Sequence, residues 1–285
     1  MSLEFGQLVT LTDQKGRTHL IQLEESKQFF TSHGSLEHNQ IREIGQGGVI
    51  SSSNGMQYTI FSTSLQDFVV SMPRGAAVIY PKDASQIIEL ADLKDGSKVI
   101  EAGVGSGSLT LHILKTIGQS GKLVSCEINE EFINVAKKNV AKYLKNLPTN
   151  WNTVLTDFQN YSATDKFDAV ILDLLNPWDM LKNVQQILKP GGHFVSYVAT
   201  TTQMSKLVET MKITNNWTDP IASETLYREW HLQGLAVRPK HKMNGHTGFL
   251  VHARRMADGY KFPVKRQKPA KGAYGSDFEA IQVED

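Results

Sequence analysis

From Lys98 to about Ala199 the chain alternates between short apolar runs and helix-period segments, and no other feature constrains its fold as much. KVIEAG reads as a strand and SLTLHILKTIG as a helix. KLVSCE reads as a second strand, and EEFINVAKKNVAKYL as a helix whose apolar positions Phe132, Ile133, Ala136, Val140 and Tyr143/Leu144 recur at helical spacing. TVLTD predicts a shorter strand, FDAVILDLL a strand buried on both faces, PWDMLKNVQQILKPGG a helix closed by Pro-Gly-Gly, and HFVSYVA a further strand. Repeated strand–helix–strand units of this kind wind into a parallel sheet with helices on both faces, a Rossmann-like α/β architecture.

The flanking segments have a different texture. Residues 1–70 contain GQLVTLTD and RTHLIQLE, which alternate with period two around the polar turn DQKG, followed by frequent glycines and no long helical pattern. A small all-β domain is expected there. MPRGAAVIYPKDASQII forms a hinge into a catalytic-sized unit over 71–260. REWHLQGLAVRP and GHTGFLVHARRM look like two long strands joined by a loop. The tail over 261–285, with KRQKPAKGAYGS, has the composition of a disordered segment.

Composition removes several classes. The 285 residues are 40% apolar with a net charge of +1, which suits an ordinary globular protein and advertises no nucleic-acid partner, although a local basic face can serve one. No apolar run approaches the roughly 20 residues of a membrane helix, and MSLEFGQLVT lacks a secretory pattern. A single cysteine, Cys126, excludes an intrachain disulfide and points to a reducing, cytoplasmic location. His241 and His246 stand five apart without a cysteine ligand nearby, so no metal is expected.

The sharpest local signal is EAGVGSGSLT at 101–110, between a strand and a helix. Gly103, Gly105 and Gly107 let the backbone pass close to a ligand. Their spacing differs from the dinucleotide fingerprint, which needs glycine where Ser108 stands. Glu101, just ahead of the loop, would repel a pyrophosphate and welcome an ammonium. S-adenosylmethionine carries an ammonium and a sulfonium and no phosphate, so the charge favours it. The next strand ends at Glu127, placed to accept ribose hydroxyls, with Ile128 able to cover an adenine face. The third ends at Asp157, able to accept from the adenine amino group, with Phe158 beside it. Glu101, Glu127, Asp157 and Asp173 thus fall at successive strand ends facing one crevice. Singly, each could be a helix cap or a surface charge. A bare glycine loop could equally be a tight turn.

Taken together, RGAAVIYPKD at 74–83, the glycine loop, the Glu127 strand, ILDLLNPW at 171–178, YVATTTQ at 197–203 and RPKHKMNGHTGFL at 238–250 resemble the tRNA (adenine-58-N1)-methyltransferase family of TrmI type, particularly its actinobacterial branch, over nearly all of the chain to about Arg255. The resemblance implies a Rossmann-like S-adenosylmethionine-dependent methyltransferase domain behind a small all-β domain, a homotetramer, and the T-loop adenosine of tRNA as target. It implies Asp173 as the catalytic residue and donor contacts at Ser106, Ser108, Leu109, Glu127 and Asp157, with Phe132 one helical turn past the ribose carboxylate. The YPKD tyrosine falls on Tyr80 and the YVAT tyrosine on Tyr197. One departure is Ala77, where relatives usually carry Gln.

The chemistry agrees with that assignment. Methylating adenine N1 makes the N6 amino group more acidic, and a carboxylate beside N6 stabilises the developing charge and takes the proton. Asp173, at the end of the fourth strand, fits this role. A cysteine nucleophile is not required, and Cys126 reads as a packed core residue. Tyr80 and Tyr197 are candidates for stacking on an adenine extruded from its loop. Asp83, three residues before Gln86, matches a helix N-cap with its capping-box partner. Arg238, Lys240, His241 and Lys242 form a basic loop that suits phosphate contacts or an ordinary solvated turn, and His246 with Thr247 is placed near the pocket mouth. Two other readings compete: a tRNA-binding subunit without turnover, which should lack the glycine loop or Asp173, and a methyltransferase for another acceptor such as a protein carboxyl group.

Overall fold

The computed structural model describes residues 2–73 and 78–263, so Ala77 and the tail from 264 onward lie outside the described residues. In the N-terminal part, β1 (Leu8–Asp13) and β2 (Thr18–Gln22) pair antiparallel, β3 (Gln28–Thr31) and β4 (Gly34–Glu37) form a separate hairpin, and β5 (Val49–Ser51) and β6 (Gln57–Ser62) complete a sheet of order β2-β1-β6-β5. One short helix, α1 (His38–Ile44), interrupts the all-β expectation. Its inward residues His38 and Ile41 plug a core built on Val9, Leu11, Tyr58 and Ile60. At seven residues it spans too few turns for a period to show in the sequence.

Helix α2 (Leu65–Ser71) opens at Ser64, whose hydroxyl accepts from the Asp67 N–H. By packing it belongs to the second unit: Leu65, Phe68 and Val69 enter the core of the main sheet. Helix α3 (Pro81–Leu90) has Pro81 in its first turn and Tyr80 as N-cap. Asp83 is therefore not the cap that its spacing to Gln86 suggested. It is the third helical residue and is almost fully buried.

The remaining chain builds the expected α/β sheet: β7 (Lys98–Ala102), α4 (Ser108–Ile117), β8 (Lys122–Glu127), α5 (Glu130–Leu144), β9 (Trp151–Leu155), β10 (Phe167–Asp173), α6 (Leu181–Ile187), β11 (Leu188–Val198), α7 (Thr201–Thr214), β12 (Ile221–Ser223) and β15 (Phe249–Arg254). Between the last two, β13 (Trp230–Gln233) and β14 (Ala236–Pro239) form a free-standing hairpin. REWHLQGLAVRP is thus not one long strand. It turns back at Gly234, whose φ of +52° is glycine territory.

The sheet order is β12-β15-β11-β10-β7-β8-β9, with β11, β10, β7, β8 and β9 mutually parallel and β15 antiparallel to β11. The chain runs outward from β7 to β9, then returns to place β10 on the other side of β7. That reversal makes the carboxyl ends of β7 and β10 the topological switch point, where such sheets bind ligands. Helices α2 to α5 cover one face over Val99, Leu123, Ile171 and Val195, and α6 and α7 cover the other over Ile100, Val124, Val170 and Phe194.

Candidate active site

Strand register gathers the acidic residues. Glu101 lies opposite Ile171 on β10 and Ser125 on β8, and Asp173 lies opposite Tyr197 on β11. Because side chains alternate along a strand, Glu101, Glu127, Asp173 and Tyr197 all project from the same face. Three carboxylates meet there, and among the described residues no Lys, Arg or His forms an ion pair with any of them. The backbone is drawn equally close. Gly103 has φ +85°, and a Cβ there would stand 2.2 Å from the Asp173 carbonyl oxygen. Gly107, at φ +80°, leaves room for Ala136 of α5 at 3.2 Å.

Glu101 is buried, 1% exposed. Its Oε2 accepts from Thr110 Oγ1 at 2.7 Å and Ser125 Oγ at 2.8 Å, while Oε1 is buried without a partner. Burial pushes its pKa up to about 7, partly offset by those two hydroxyls and reinforced by the charges of Asp173 and Glu127. Asp173 is half-buried, and its carboxylate has no hydrogen bond among the described residues. Burial, then the Glu127 charge, raises its pKa to about 6. Glu127 accepts four main-chain N–H groups: Val104 at 3.0 Å and Gly105 at 3.4 Å on Oε2, and Ile128 at 2.9 Å and Asn129 at 3.1 Å on Oε1. It therefore buckles the glycine loop onto β8. To accept ribose hydroxyls it must share or release the long Gly105 contact.

The other expected donor contacts divide into side chains that face the crevice and side chains that do not. Ile128 is 73% exposed beside Glu127, an unspent apolar surface. Phe132 is half-buried on the first turn of α5. Asp157 is exposed and caps the 3-10 turn Phe158–Asn160 through the Gln159 N–H at 2.9 Å, with its second carboxylate oxygen left over. Phe158 and Leu109 have side chains buried in the two cores, and their main chain lies at the ends of the elements that border the crevice. Ser106 is buried, and Ser108 Oγ donates to the Ile79 carbonyl at 2.8 Å, tying the loop to the hinge. Cys126 is buried, and its thiol is pushed up to about 12 by burial and the Glu101 charge, so it remains an unreactive core group.

On the acceptor side, Tyr197 is not a free stacking ring. Its hydroxyl donates to the Thr247 carbonyl at 2.6 Å, and Gly248 lies flat against it, since a Cβ there would meet Cζ at 2.3 Å. Burial and the Asp83 charge raise this phenol to about 12, keeping it neutral. Tyr80 is half-buried and lines a cleft of about 950 Å³ between α2, α3 and the segment 225–244. This cleft is not the crevice at the strand ends. It adjoins that crevice through Tyr80, and its lining sets Lys242 and His241 beside Glu229, while the Lys82 ammonium is held by Asp83, Thr247 and Thr225. The exposed His246 already has partners on both ring nitrogens: Nδ1 meets Glu224 Oε1 at 2.7 Å and Nε2 meets the Ala199 carbonyl at 2.9 Å. The Glu224 contact holds the imidazole's pKa above its ordinary value. Arg238 is exposed on β14, while Lys240 is paired with Glu229.

Two positioning residues escaped the sequence reading. Asn139 of α5 donates to the carbonyls of Pro73 and Ser106, both at 2.9 Å, which no motif announces. Gln203 completes a capping box with Thr200 and donates to the Leu175 carbonyl at 2.9 Å, anchoring the loop after Asp173. The Thr-x-x-Gln spacing of that box was readable.

Residues 58–236 match the family model described as "tRNA methyltransferase complex GCD14 subunit", and residues 2–50 match "TrmI-like N-terminal". A tRNA (adenine(58)-N(1))-methyltransferase TrmI of Thermus thermophilus is 33% identical over 86% of this chain and 95% of its own length. A tRNA (adenine(57)-N(1)/adenine(58)-N(1))-methyltransferase TrmI of Methanocaldococcus jannaschii is 28% identical over 86% and 93%. Among solved structures, TrmI of Aquifex aeolicus superposes with a TM-score of 0.79 at 25% identity, covering 90% of this chain and all of that one. A Thermotoga maritima protein described as a SAM-dependent O-methyltransferase gives 0.86 at 28% identity, covering 91% and 97%. The glycine loop and carboxylate cluster lie at the switch point of the sheet, the family model spans well over half the chain, and the Thermus relative is 33% identical over most of both chains: the chain belongs to the TrmI family of tRNA (adenine-58-N1)-methyltransferases.

Proposed function

We propose that this protein is an S-adenosylmethionine-dependent enzyme that methylates N1 of adenosine 58 in the T-loop of tRNA, with Asp173 as its catalytic residue. The observation that carries this reading is the group of three carboxylates on one sheet face at the switch point with no basic partner among the described residues. Like charges this close are costly, and a cationic ligand relieves the repulsion, whereas a dinucleotide's phosphates would worsen it. S-adenosylmethionine fits on those grounds, and Glu101 Oε1, buried without a partner, suits an acceptor for its ammonium. Glu127 would serve the ribose, Asp157 and Ile128 the adenine, and the positive-φ glycines the close backbone approach.

When bound, the donor supplies an electrophilic methyl group for the base nitrogen. Asp173 would then relieve the positive charge that develops on the adenine: its carboxylate accepts the N6 proton as the N1 lone pair becomes the new N–C bond and the pair of the broken C–S bond stays on sulfur. A carboxyl with a pKa near 6 is ionised at neutral pH and is a better proton acceptor than an ordinary aspartate. Tyr197, neutral and fixed beside Asp173, forms a wall of the pocket, and Tyr80 stands between crevice and cleft, where an extruded base would pass. Lys242 in the cleft lining and exposed Arg238 suit the tRNA backbone. The tRNA-binding subunit without turnover is disfavoured by the retained glycine loop and Asp173. The likeness to a described O-methyltransferase shows that this fold does not choose the acceptor atom, so the acceptor must be read from product.

Self-association belongs to the same proposal. The β13–β14 hairpin stands apart from both main sheets and exposes Trp230, Leu232, Leu235 and Val237. An isolated two-stranded hairpin is marginal in water, and an apolar strip of this kind calls for a cover. A second copy offers the same strip, which supports the homotetramer.

The test is transfer of a tritiated methyl group to an unmodified tRNA transcript, followed by nucleoside analysis. The expected product is 1-methyladenosine at position 58. Asp173→Ala should lose at least about 10²-fold in turnover, the usual scale for a general base, with donor affinity retained by calorimetry. Label on another atom, or full turnover in the variant, would overturn the reading.

A further inference from the structure

Two motifs far apart in the chain, YPKD at 80–83 and GHTGF at 245–249, meet in a polar clasp that the chemistry above does not use. Lys82 Nζ donates to Asp83 Oδ1 at 2.6 Å, to Thr247 Oγ1 at 2.6 Å and to the Thr225 carbonyl at 2.7 Å, which satisfies all three of its N–H bonds. Thr247 Oγ1 in turn donates to Asp83 Oδ2 at 2.7 Å. Asp83 is 1% exposed and the Lys82 side chain 13%, so the pair is held largely out of water. A buried ion pair of this kind is a weak source of net stability, because desolvation offsets most of the attraction. What it fixes is geometry.

The geometry runs to the crevice on both sides. Asp83 lies on the first turn of α3, its N–H bonded at 2.9 Å to the carbonyl of Tyr80. Thr247 presents its own carbonyl to the Tyr197 hydroxyl at 2.6 Å, and Tyr197 neighbours Asp173 across the β10–β11 ladder. The Thr247 hydroxyl thus joins the segment behind Tyr197 to the helix start that carries Tyr80, through both Asp83 and Lys82.

We infer that the Lys82–Asp83–Thr247 clasp is a positioning device for methyl transfer, with Thr247 as the residue that sets Tyr197 and Tyr80 to hold the target base against Asp173. The inference rests on Asp173 being the acid of the crevice. Misplacing a reacting group by a fraction of an ångström slows turnover steeply without weakening ligand binding in proportion.

The experiment uses the full chain and compares Thr247→Val, Thr247→Ser and Asp83→Asn with wild type, with Asp173→Ala as reference. Turnover on tRNA transcript is expressed per donor-binding site counted by calorimetry, so unfolded protein does not enter the rate. Thr247→Val should lose about tenfold or more in kcat with KM for tRNA and donor affinity little changed. Thr247→Ser, which keeps the hydroxyl, should restore most of it. Asp83→Asn, which keeps the shape and removes the charge, should reproduce the kcat loss. Wild-type kcat in Thr247→Val and Asp83→Asn beside an inactive Asp173→Ala would overturn the clasp and leave the crevice reading standing. A Ser variant as slow as the Val variant would overturn it too, because packing and not the hydroxyl would then matter. Full activity in Asp173→Ala would remove the reading beneath it.

Discussion

Glu101 shows how a single residue carries opposed demands. Its carboxylate sits inside the protein with two hydroxyl donors and an unpartnered oxygen, next to two other acids. A pKa raised from 4.5 to about 7 means that the folded state holds a proton the unfolded state would release. The associated stability is complete below the unfolded value and is lost as pH rises through about 7. In the absence of donor, Glu101 should therefore cost wild type up to about 3 kcal/mol of stability between pH 5 and pH 8, in addition to the loss from Asp173, whose pKa is raised to about 6. Glu101→Gln, which cannot ionise, should lose the Glu101 share of that dependence, keep the Asp173 share, and bind donor more weakly. Urea unfolding of both proteins at the two pH values measures the difference, and parallel pH dependences would exclude Glu101 as the cause. The acid at 101 was visible in the sequence from its place before the glycine loop. Its environment was not, because Thr110 and Ser125 reach it from a helix and a neighbouring strand, at 2.7 Å and 2.8 Å.

Among the elements, α5 illustrates a local pattern with a non-local task. Its apolar spacing sets Ile133, Ala136 and Val140 inward, and the predicted span agrees with Glu130–Leu144. The same buried stripe contains Asn139, a polar residue that a period-based reading passes over. Its amide reaches two main-chain carbonyls, one in the hinge and one in the glycine loop. Asn139→Ala leaves both without this donor and should cost about 1–3 kcal/mol of unfolding free energy, measurable by denaturant titration. It should also weaken donor binding, since Ser106 lies within the loop. Unchanged stability would mean that water replaces the amide fully. The short helices α1 and α2 went unread for a different reason: seven residues give two turns, and burial of two or three side chains there is a tertiary event.

At the scale of the whole molecule, the crevice lies at the strand ends of the main sheet, the cleft between α2, α3 and the segment 225–244, and the exposed hairpin within that same segment. A chain of net charge +1 gains a broad RNA-binding face most readily by pooling the basic patches of several copies. On the proposed self-association, replacing Trp230 and Leu232 together by Ser should shift the protein to smaller species than wild type in sedimentation velocity, with donor affinity per chain retained because the residues of the crevice come from one chain. An unchanged sedimentation coefficient would place the subunit contacts elsewhere.

The order of strands and helices, the glycine loop and the acids at the strand ends were determined by the sequence itself, since each depends on residues within about one turn or one strand of one another. The tertiary structure decided which of those groups meet. Parallel register put Asp173 beside Tyr197, and the fold brought Thr247 to Asp83 across 164 positions. It also turned His246, Phe158 and Leu109 toward partners inside the protein. Such assignments arise because a buried polar atom takes whichever partner the packed chain brings within hydrogen-bond reach, and that partner's distance along the sequence carries no signal.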